Sequence, residues 1–500
     1  MLDTYPDIVL RRSFLALPFF LATLAIPGTV VHAQETDPRA PPPARTATPQ
    51  SQPEEASPAG PSTLESRIEA RIEASDRRTT AALHQLDEDA FARAKVQAMV
   101  QAEEAGFGIT SPDGRFRVRM HGQLQVDGRR FFGDDSLKNL DTFLVRRARP
   151  TIEVTLLGLA DALITPDFAG GTAQLFDAYI DLHPRPWLRL RAGKFKPPIG
   201  LERLQSDNSL VFTERALDQD LSAQRDVGVQ LWGDIAGGLV RYEVAILNGV
   251  PDSALNDVDS DYAKSVAGRV FVQPFVSPTL RRLGRLGVGF AAESGNEKGS
   301  TTISNGAVTS TGLGSFKSTG QNTIFTYLTS TTDPTQTVIA LHRHTRLNPQ
   351  LYYYLGSLGL EAEYLRERQG VDKGGVSSTV INSAGHVTLA YVVGGDCSYE
   401  GPRVRNPVSF DGGAFGVLEI GARYHWLTVD AAAFPALADA SGAVAKAKGF
   451  GLVLSWYLSQ SLRLAASYDQ TAFRGGAKNG SSTANRTTEK VFIGRMQVGY

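Results

Sequence analysis

The chain has 500 residues, 49 of them Gly and one Cys, with 51 basic and 52 acidic side chains and a net charge of −1. That balance excludes a nucleic-acid-coating protein, and a single Cys excludes a disulfide or thiolate-metal framework. No apolar run of about 18 residues follows the N-terminus, which excludes a helical membrane protein and leaves a soluble β-rich protein or a transmembrane β-barrel. Residues 1–33 read as a secretory signal: Arg11-Arg12, an apolar core from Phe14 to Ile26, and a small-residue cleavage site at Val31-His32-Ala33. Residues 34–62 form a Pro-rich linker that buries nothing. Ser62 and Glu65 make a capping box, and Leu64, Ile68 and Ile72 follow at helical spacing. Residues 63–106 are therefore expected to be helical, a candidate coiled coil that Gly106 would cap.

Residues 109–500 change period. Arg115, Arg117, Arg119, His121, Gln123, Gln125 and Asp127 alternate with Phe116, Val118, Met120, Gly122, Leu124 and Val126. So long an alternation matches the roughly 9–11 residues of a tilted membrane-spanning strand. Arg147 and Arg149, Asp177 to Asp181, and Glu419 to His425 repeat it. The chain end alternates too: Phe492, Gly494, Met496, Val498 and Tyr500 resemble the signal read by the outer-membrane barrel assembly machinery. Connections alternate long and short, as in membrane barrels, and residues 196–225 become the third external loop. Residues 294–322 and 371–386 are expected to be further external loops. The fold class is thus an all-β transmembrane antiparallel barrel of about 16 strands behind an N-terminal helical segment.

The lumen face carries the chemistry. Arg115, Arg117, Arg119, Arg147 and Arg149 fall there on two adjacent strands, and Arg189 and Arg191 add to the track. Guanidinium binds phosphate oxygens in a fork and keeps its charge at any relevant pH. Residues 1–33 are neutral and 34–108 carry 13 acids against 8 bases, so the barrel holds four more bases than acids. Pairing of the arginines with Glu153, Asp161, Asp167, Asp177 and Asp181 is the competing expectation. Within 196–226, Lys196, Arg203, Arg215 and Arg225 stand among six acids, which is no plain anion filter. His342 and His344 could share a strand face, and Tyr352 to Tyr354 and Trp456-Tyr457 are expected at the membrane interface. No metalloprotease, P-loop or nucleophile-elbow motif is present, so neither enzyme activity nor a cofactor or metal is expected.

Several segments, in their order and spacing, resemble the phosphate-selective porin O/P family. They are Phe143-Leu144-Val145-Arg146-Arg147-Ala148-Arg149, Phe176-Asp177-Ala178-Tyr179-Ile180-Asp181-Leu182 and Arg191-Ala192-Gly193-Lys194-Phe195-Lys196-Pro197-Pro198-Ile199-Gly200-Leu201-Glu202. Asn348-Pro349-Gln350-Leu351-Tyr352-Tyr353-Tyr354, Glu363-Tyr364 and Ser455-Trp456-Tyr457-Leu458 complete the set. The resemblance implies a 16-stranded homotrimeric outer-membrane barrel with an inward-folded third loop, an arginine ladder and a constriction lysine that guide phosphate. Arg146, Arg147 and Arg149 are the ladder candidates, with Lys194 and Lys196 for the lysine. Expected partners are outer-membrane lipid, copies of the chain, the assembly machinery and small permeant anions, with peptidoglycan a candidate. A barrel that mainly anchors the envelope through its N-terminal helix, or a general non-selective porin, is the alternative reading.

Overall fold

The computed structural model describes residues 64–94, 98–103, 106–133, 140–255, 262–277, 279–304, 306–308, 310–409 and 411–499. The expected signal, the linker and Tyr500 lie outside these residues. The chain divides into two units, residues 1–80 and 81–500. Helix α1 (Leu64–Ala94) starts in the first, and its side chains from 69 to 88 are exposed. It stops short of the expected Ala105. Strand Met99–Glu103 instead pairs with Gly106–Thr110, which pairs in turn with the first barrel strand. Gly106 is no helix cap: at φ 115°, with the Met120 carbonyl 2.4 Å from where a Cβ would stand, it lets two strands approach closely.

Sixteen strands among the described residues close the barrel. They are β1 (Arg117–Phe131), β2 (Thr142–Leu156), β3 (Ala160–Asp167), β4 (Gln174–Arg185), β5 (Leu188–Phe195), β6 (Asp226–Ile235), β7 (Val240–Leu247) and β8 (Ser265–Val272). The circuit continues with β9 (Arg285–Lys298), β10 (Val338–Leu355), β11 (Leu358–Lys373), β12 (Val376–Val393), β13 (Val417–Thr428), β14 (Val444–Tyr457), β15 (Leu462–Asn479) and β16 (Glu489–Gly499). Each pairs antiparallel with the next, and β16 closes on β1 from Val491↔Phe131 to Gly499↔Gln123. The wall is uneven: β3, β5, β7 and β8 have 8 residues, whereas β10, β12 and β15 have 18.

The interior is polar and the exterior apolar, the reverse of a soluble fold. Arg346 and Arg423 are among the largest fully buried side chains, while Leu124, Ile164, Leu190, Phe290, Leu389 and Leu452 are exposed on the outer face. One end of the barrel, the turn end, carries mostly short connections; the other, the loop end, carries longer ones, among them 196–225 and 299–337.

Five expectations are corrected. Residues 371–386 are not a loop but the tip of the β11–β12 hairpin, turned by Gly374-Gly375 at φ 60° and 85°. The loop expected from 294 starts only after Lys298, because β9 keeps pairing with β10 to that point. The turn end has two longer connections, 273–284 and 394–416, and the second folds back beneath the lumen. Tyr352, Tyr354 and Tyr457 point inward and are buried, because their parity matches that of Gln350 and Ser455; Tyr353 and Trp456 take the outward positions. The histidines are also separated: a register shift between Ala340 and His344 leaves His342 exposed at φ 70° while His344 is buried.

Candidate functional site

The segment 196–225 leaves β5 at the loop end and runs inside the barrel rather than over it. Gly200 starts its short helix Leu201–Leu204 at φ 83°, with the Arg203 Cβ only 2.7 Å from where its own Cβ would stand. That first turn is tied to the wall by the Glu363 carboxylate, which accepts from the N–H of Leu201 (2.7 Å) and of Glu202 (3.0 Å). Tyr399 of the 394–416 connection donates its hydroxyl to the Leu201 carbonyl at 2.6 Å, and Gln205 donates to the Tyr399 carbonyl at 2.6 Å. Arg463 of β15 donates to the carbonyls of Leu210 and Val211, both at 2.6 Å. Asp218 meets the Nδ1 of His386 on β12 at 2.9 Å. The loop is therefore fastened to many strands around the inner wall.

Its two central carboxylates sit on the arginines of β1, β2 and β16. Glu214 accepts from Arg146 at 2.7 and 3.0 Å, from Arg129 at 3.0 Å and from Arg495 at 3.0 Å, and lies 4.0 Å from Arg147. Asp207 pairs with Arg149 and with Arg215 through very short contacts, and with Arg147 at 3.4 Å. Burial opposes charge on both carboxyls, but the guanidiniums around them prevail and hold both well below the usual carboxylate range. Asp220, buried with fewer cations, is pushed up to about 7. Asp252, in the next loop, is raised to about 7 by burial and by Glu367. Burial also pulls the Lys196 ammonium well below its ordinary value, helped by Arg225 and Arg215.

Two cavities flank this loop. The turn-end chamber, about 450 Å³, is lined by His121, Arg149, Arg191, Lys196, Arg225 and Glu243 among others. The loop-end chamber, about 630 Å³, is lined by Arg129, Arg146, Arg147, Glu214, Lys317 and others. Their linings share Arg149, Asp207 and Arg225, which mark the waist between them. Eight basic and five acidic side chains line the loop-end chamber, an excess of three. Those numbers are four and three at the turn end.

The candidates named from sequence separate into groups. Arg146, Arg147, Arg149, Arg203 and Arg215 come together around the loop. Arg146 and Arg147 are consecutive, yet both reach Glu214, because a register shift between Gln125 and Val126 makes a bulge opposite them. Arg119 pairs with Glu153 at 2.5 Å nearer the turn end. Arg189 and Arg191 both meet Asp181, at 3.3 and 2.7 Å, and lie over Trp232 and Tyr179 respectively. Arg115 is in the turn before β1 and Arg117 is exposed at the first strand position, so neither joins the cluster. Lys194 pairs in register with Ala178, one step out of phase with Arg191, and is buried, so it does not share the lumen position of Arg191. Lys196 lines the turn-end chamber, its Nζ donating to the Gln205 carbonyl at 2.8 Å. Phe492 is exposed on the outer face of β16.

Arg129, Arg225 and Arg495 were missed as site residues. Continuing the alternation of β1 past Asp127 would have found Arg129, and the parity of Gln497 would have found Arg495. Arg225, bonded to Asp177 at 3.1 Å, stands just before β6, where no periodicity reaches.

A search of the curated proteins finds no match. Among solved structures, the chain is similar to the outer membrane channel DcaP of Acinetobacter baumannii at 12% identity and TM-score 0.47, over 79% of this chain and 100% of that one. It is similar to the trimeric outer membrane protein OmpT of Vibrio cholerae at 12% and 0.46, over 77% and 99%. An anion-selective porin from Comamonas acidovorans matches at 10% and 0.46, over 77% and 100%. The sequence model of the phosphate-selective porin O and P family matches residues 118–500, the whole barrel wall from the second residue of β1 onward. The chain belongs to that family.

Proposed function

We propose that this outer-membrane porin passes small hydrophilic solutes by diffusion and leans to anions such as phosphate. The observation that carries the reading is the basic excess of the loop-end chamber, which narrows to a waist with two arginines and one carboxylate. Most of these guanidiniums are already engaged by Asp207, Glu214, Asp167 or Asp177. An anion must compete with those carboxylates, so each site binds weakly and releases readily, as conduction requires. Strong phosphate selectivity is therefore not expected. The turn end faces the periplasm in this reading, and residues 98–116 enter β1 there.

The low wall supports assembly into a trimer. Strands of 8 residues, tilted as barrel strands are, rise roughly 18–20 Å, less than the apolar band of about 25 Å. A neighbouring copy covering that side would spare the shortfall. The channel reading is also preferred to a hydrolytic one: His344 meets Glu297 at 2.6 Å and His386 meets Asp218 at 2.9 Å, and the second ring nitrogen of each also faces a carboxylate, Glu367 at 3.1 Å and Glu361 at 3.8 Å. A nucleophile poised for catalysis would occupy that position.

The test is competition in a planar bilayer. Inorganic phosphate added to a chloride bath should reduce chloride current at millimolar concentration or above. Sub-micromolar block would show a dedicated phosphate filter instead, and absence of block would remove phosphate from the permeant class.

A further inference from the structure

The outer face carries a feature that pore chemistry does not use. Arg366 and Arg368 on β11 and Arg343 on β10 have the outward parity and are exposed. Register sets Arg368 beside Thr345 and Ile381, and Arg366 beside Leu347 and Ser383. The three guanidiniums line one cavity of about 540 Å³ on the outside of the wall, with Thr345, Thr379 and Ile381. Arg343 donates to the Ser294 hydroxyl at 3.1 Å; Arg366 and Arg368 have no hydrogen bond or ion pair among the described residues.

Their height on the wall gives them meaning. Toward the turn end the outward positions of β11 are Leu358, Leu360, Ala362 and Tyr364, without a charge. The eight residue steps from Leu358 to Arg366 rise roughly 19 Å at barrel tilt, and Arg368 stands a few ångströms higher, near the upper edge of a band about 25 Å tall. Lys446 and Lys448 continue the outward basic positions on β14. Asp372, the described carboxylate of outward parity on β11, is taken up by the Gly375 N–H at 2.9 Å and the Ser377 hydroxyl at 3.2 Å. Among the described residues no carboxylate pairs with Arg366 or Arg368.

We propose that Arg343, Arg366 and Arg368 form a binding site on the membrane-facing wall for the phosphorylated headgroup of an anionic lipid in the loop-end leaflet. Arginine forks match phosphate oxygens, the threonine hydroxyls can donate to the remaining ones, and Ile381 with the apolar positions below receives the acyl chains. The site is independent of the conduction path, since these side chains and the lumen arginines lie on opposite faces of the sheet.

The test uses the full chain in nanodiscs of phosphatidylcholine with a minority of phosphatidic acid, transferred to zwitterionic detergent. Native mass spectrometry then counts retained phosphatidic acid. Wild-type protein should retain it over phosphatidylcholine, and R366Q/R368Q should bind it roughly tenfold or more weakly with unchanged conductance and oligomeric state. R366K/R368K should keep part of the binding. If the double glutamine variant does not fold, the wild type alone still decides: high salt should strip the lipid, whereas inorganic phosphate at matched ionic strength should strip no more than chloride does. Equal retention by R366Q/R368Q, no preference over phosphatidylcholine, or displacement by inorganic phosphate specifically would overturn the proposal. So would loss of the oligomer in the variant, which would assign the face to a neighbouring copy.

Discussion

Asp207→Asn is the substitution that bears most directly on the waist. It keeps the shape of the side chain and removes the one carboxylate common to both chamber linings, so the shared charge changes from two cations and one anion to two cations alone. Asp207 is ionised throughout the accessible pH range, because Arg147, Arg215 and Arg149 hold its carboxyl low against burial. A unit charge acts on an ion about 5 Å away with roughly 0.8 kcal/mol in a water-like dielectric. The change lowers the barrier for an anion and raises it for a cation, so their permeability ratio moves by about 1.6 kcal/mol, or about fifteenfold. Screening over a Debye length of about 10 Å reduces this to roughly fivefold at 0.1 M salt. Reversal potentials in asymmetric KCl measure the ratio, with heat-modified electrophoretic migration as the check that the barrel is intact. An unchanged ratio, or a move toward cations, would remove Asp207 from the conduction path and refute the two-chamber account.

The remaining predictions concern the arginines, pH and the N-terminus. Arg147→Ala with Arg149→Ala should lower the anion-to-cation ratio severalfold and weaken phosphate block; currents indistinguishable from wild type would place both outside the permeation route. Asp220 and Asp252 line the loop-end chamber and stand at about 7, so both are neutral below that pH and charged above it. Raising pH from about 6 to 8 should therefore reduce anion preference, and Asp220→Asn with Asp252→Asn should flatten the dependence. Because ionisation of these two is disfavoured in the fold, they also contribute a loss of stability as pH rises from roughly 4 to 7, which thermal melts in detergent would detect. Deleting residues 35–94 should leave conductance unaltered, since the pairing strands begin only at Met99; loss of envelope attachment in that variant would add a tethering role to transport.

The barrel could be read from the sequence because its cause is local. Alternation from Arg117 to Asp127 states which side chains face water, and the two prolines after Lys196 mark where β5 ends and the long loop begins. Three kinds of feature could not be read that way. The bulge opposite Arg146-Arg147 is a two-against-one pairing between separate strands, so alternation alone could not set Arg146 beside Arg147 and only the family resemblance named it. The β11–β12 tip looked like a loop because Ser377, Ser378 and Thr379 are polar on both parities, although Gly374-Gly375 turns the hairpin there. The charge pairing was the least accessible. Glu214 meets Arg129 and Arg146 from the neighbouring strands β1 and β2 and Arg495 from the far end of the chain, which only closure of β16 on β1 brings to them. Counting charges along residues 196–225 showed an acidic loop; the fold shows that its acids spend their charge on the wall arginines.

The central claim is that a basic excess, only partly cancelled by the loop's carboxylates, governs what crosses this pore. The reversal potential of the full-length wild-type channel in a neutral bilayer under a KCl gradient tests it most directly. A potential displaced toward the chloride equilibrium value is the predicted result. Displacement toward the potassium value would contradict the account.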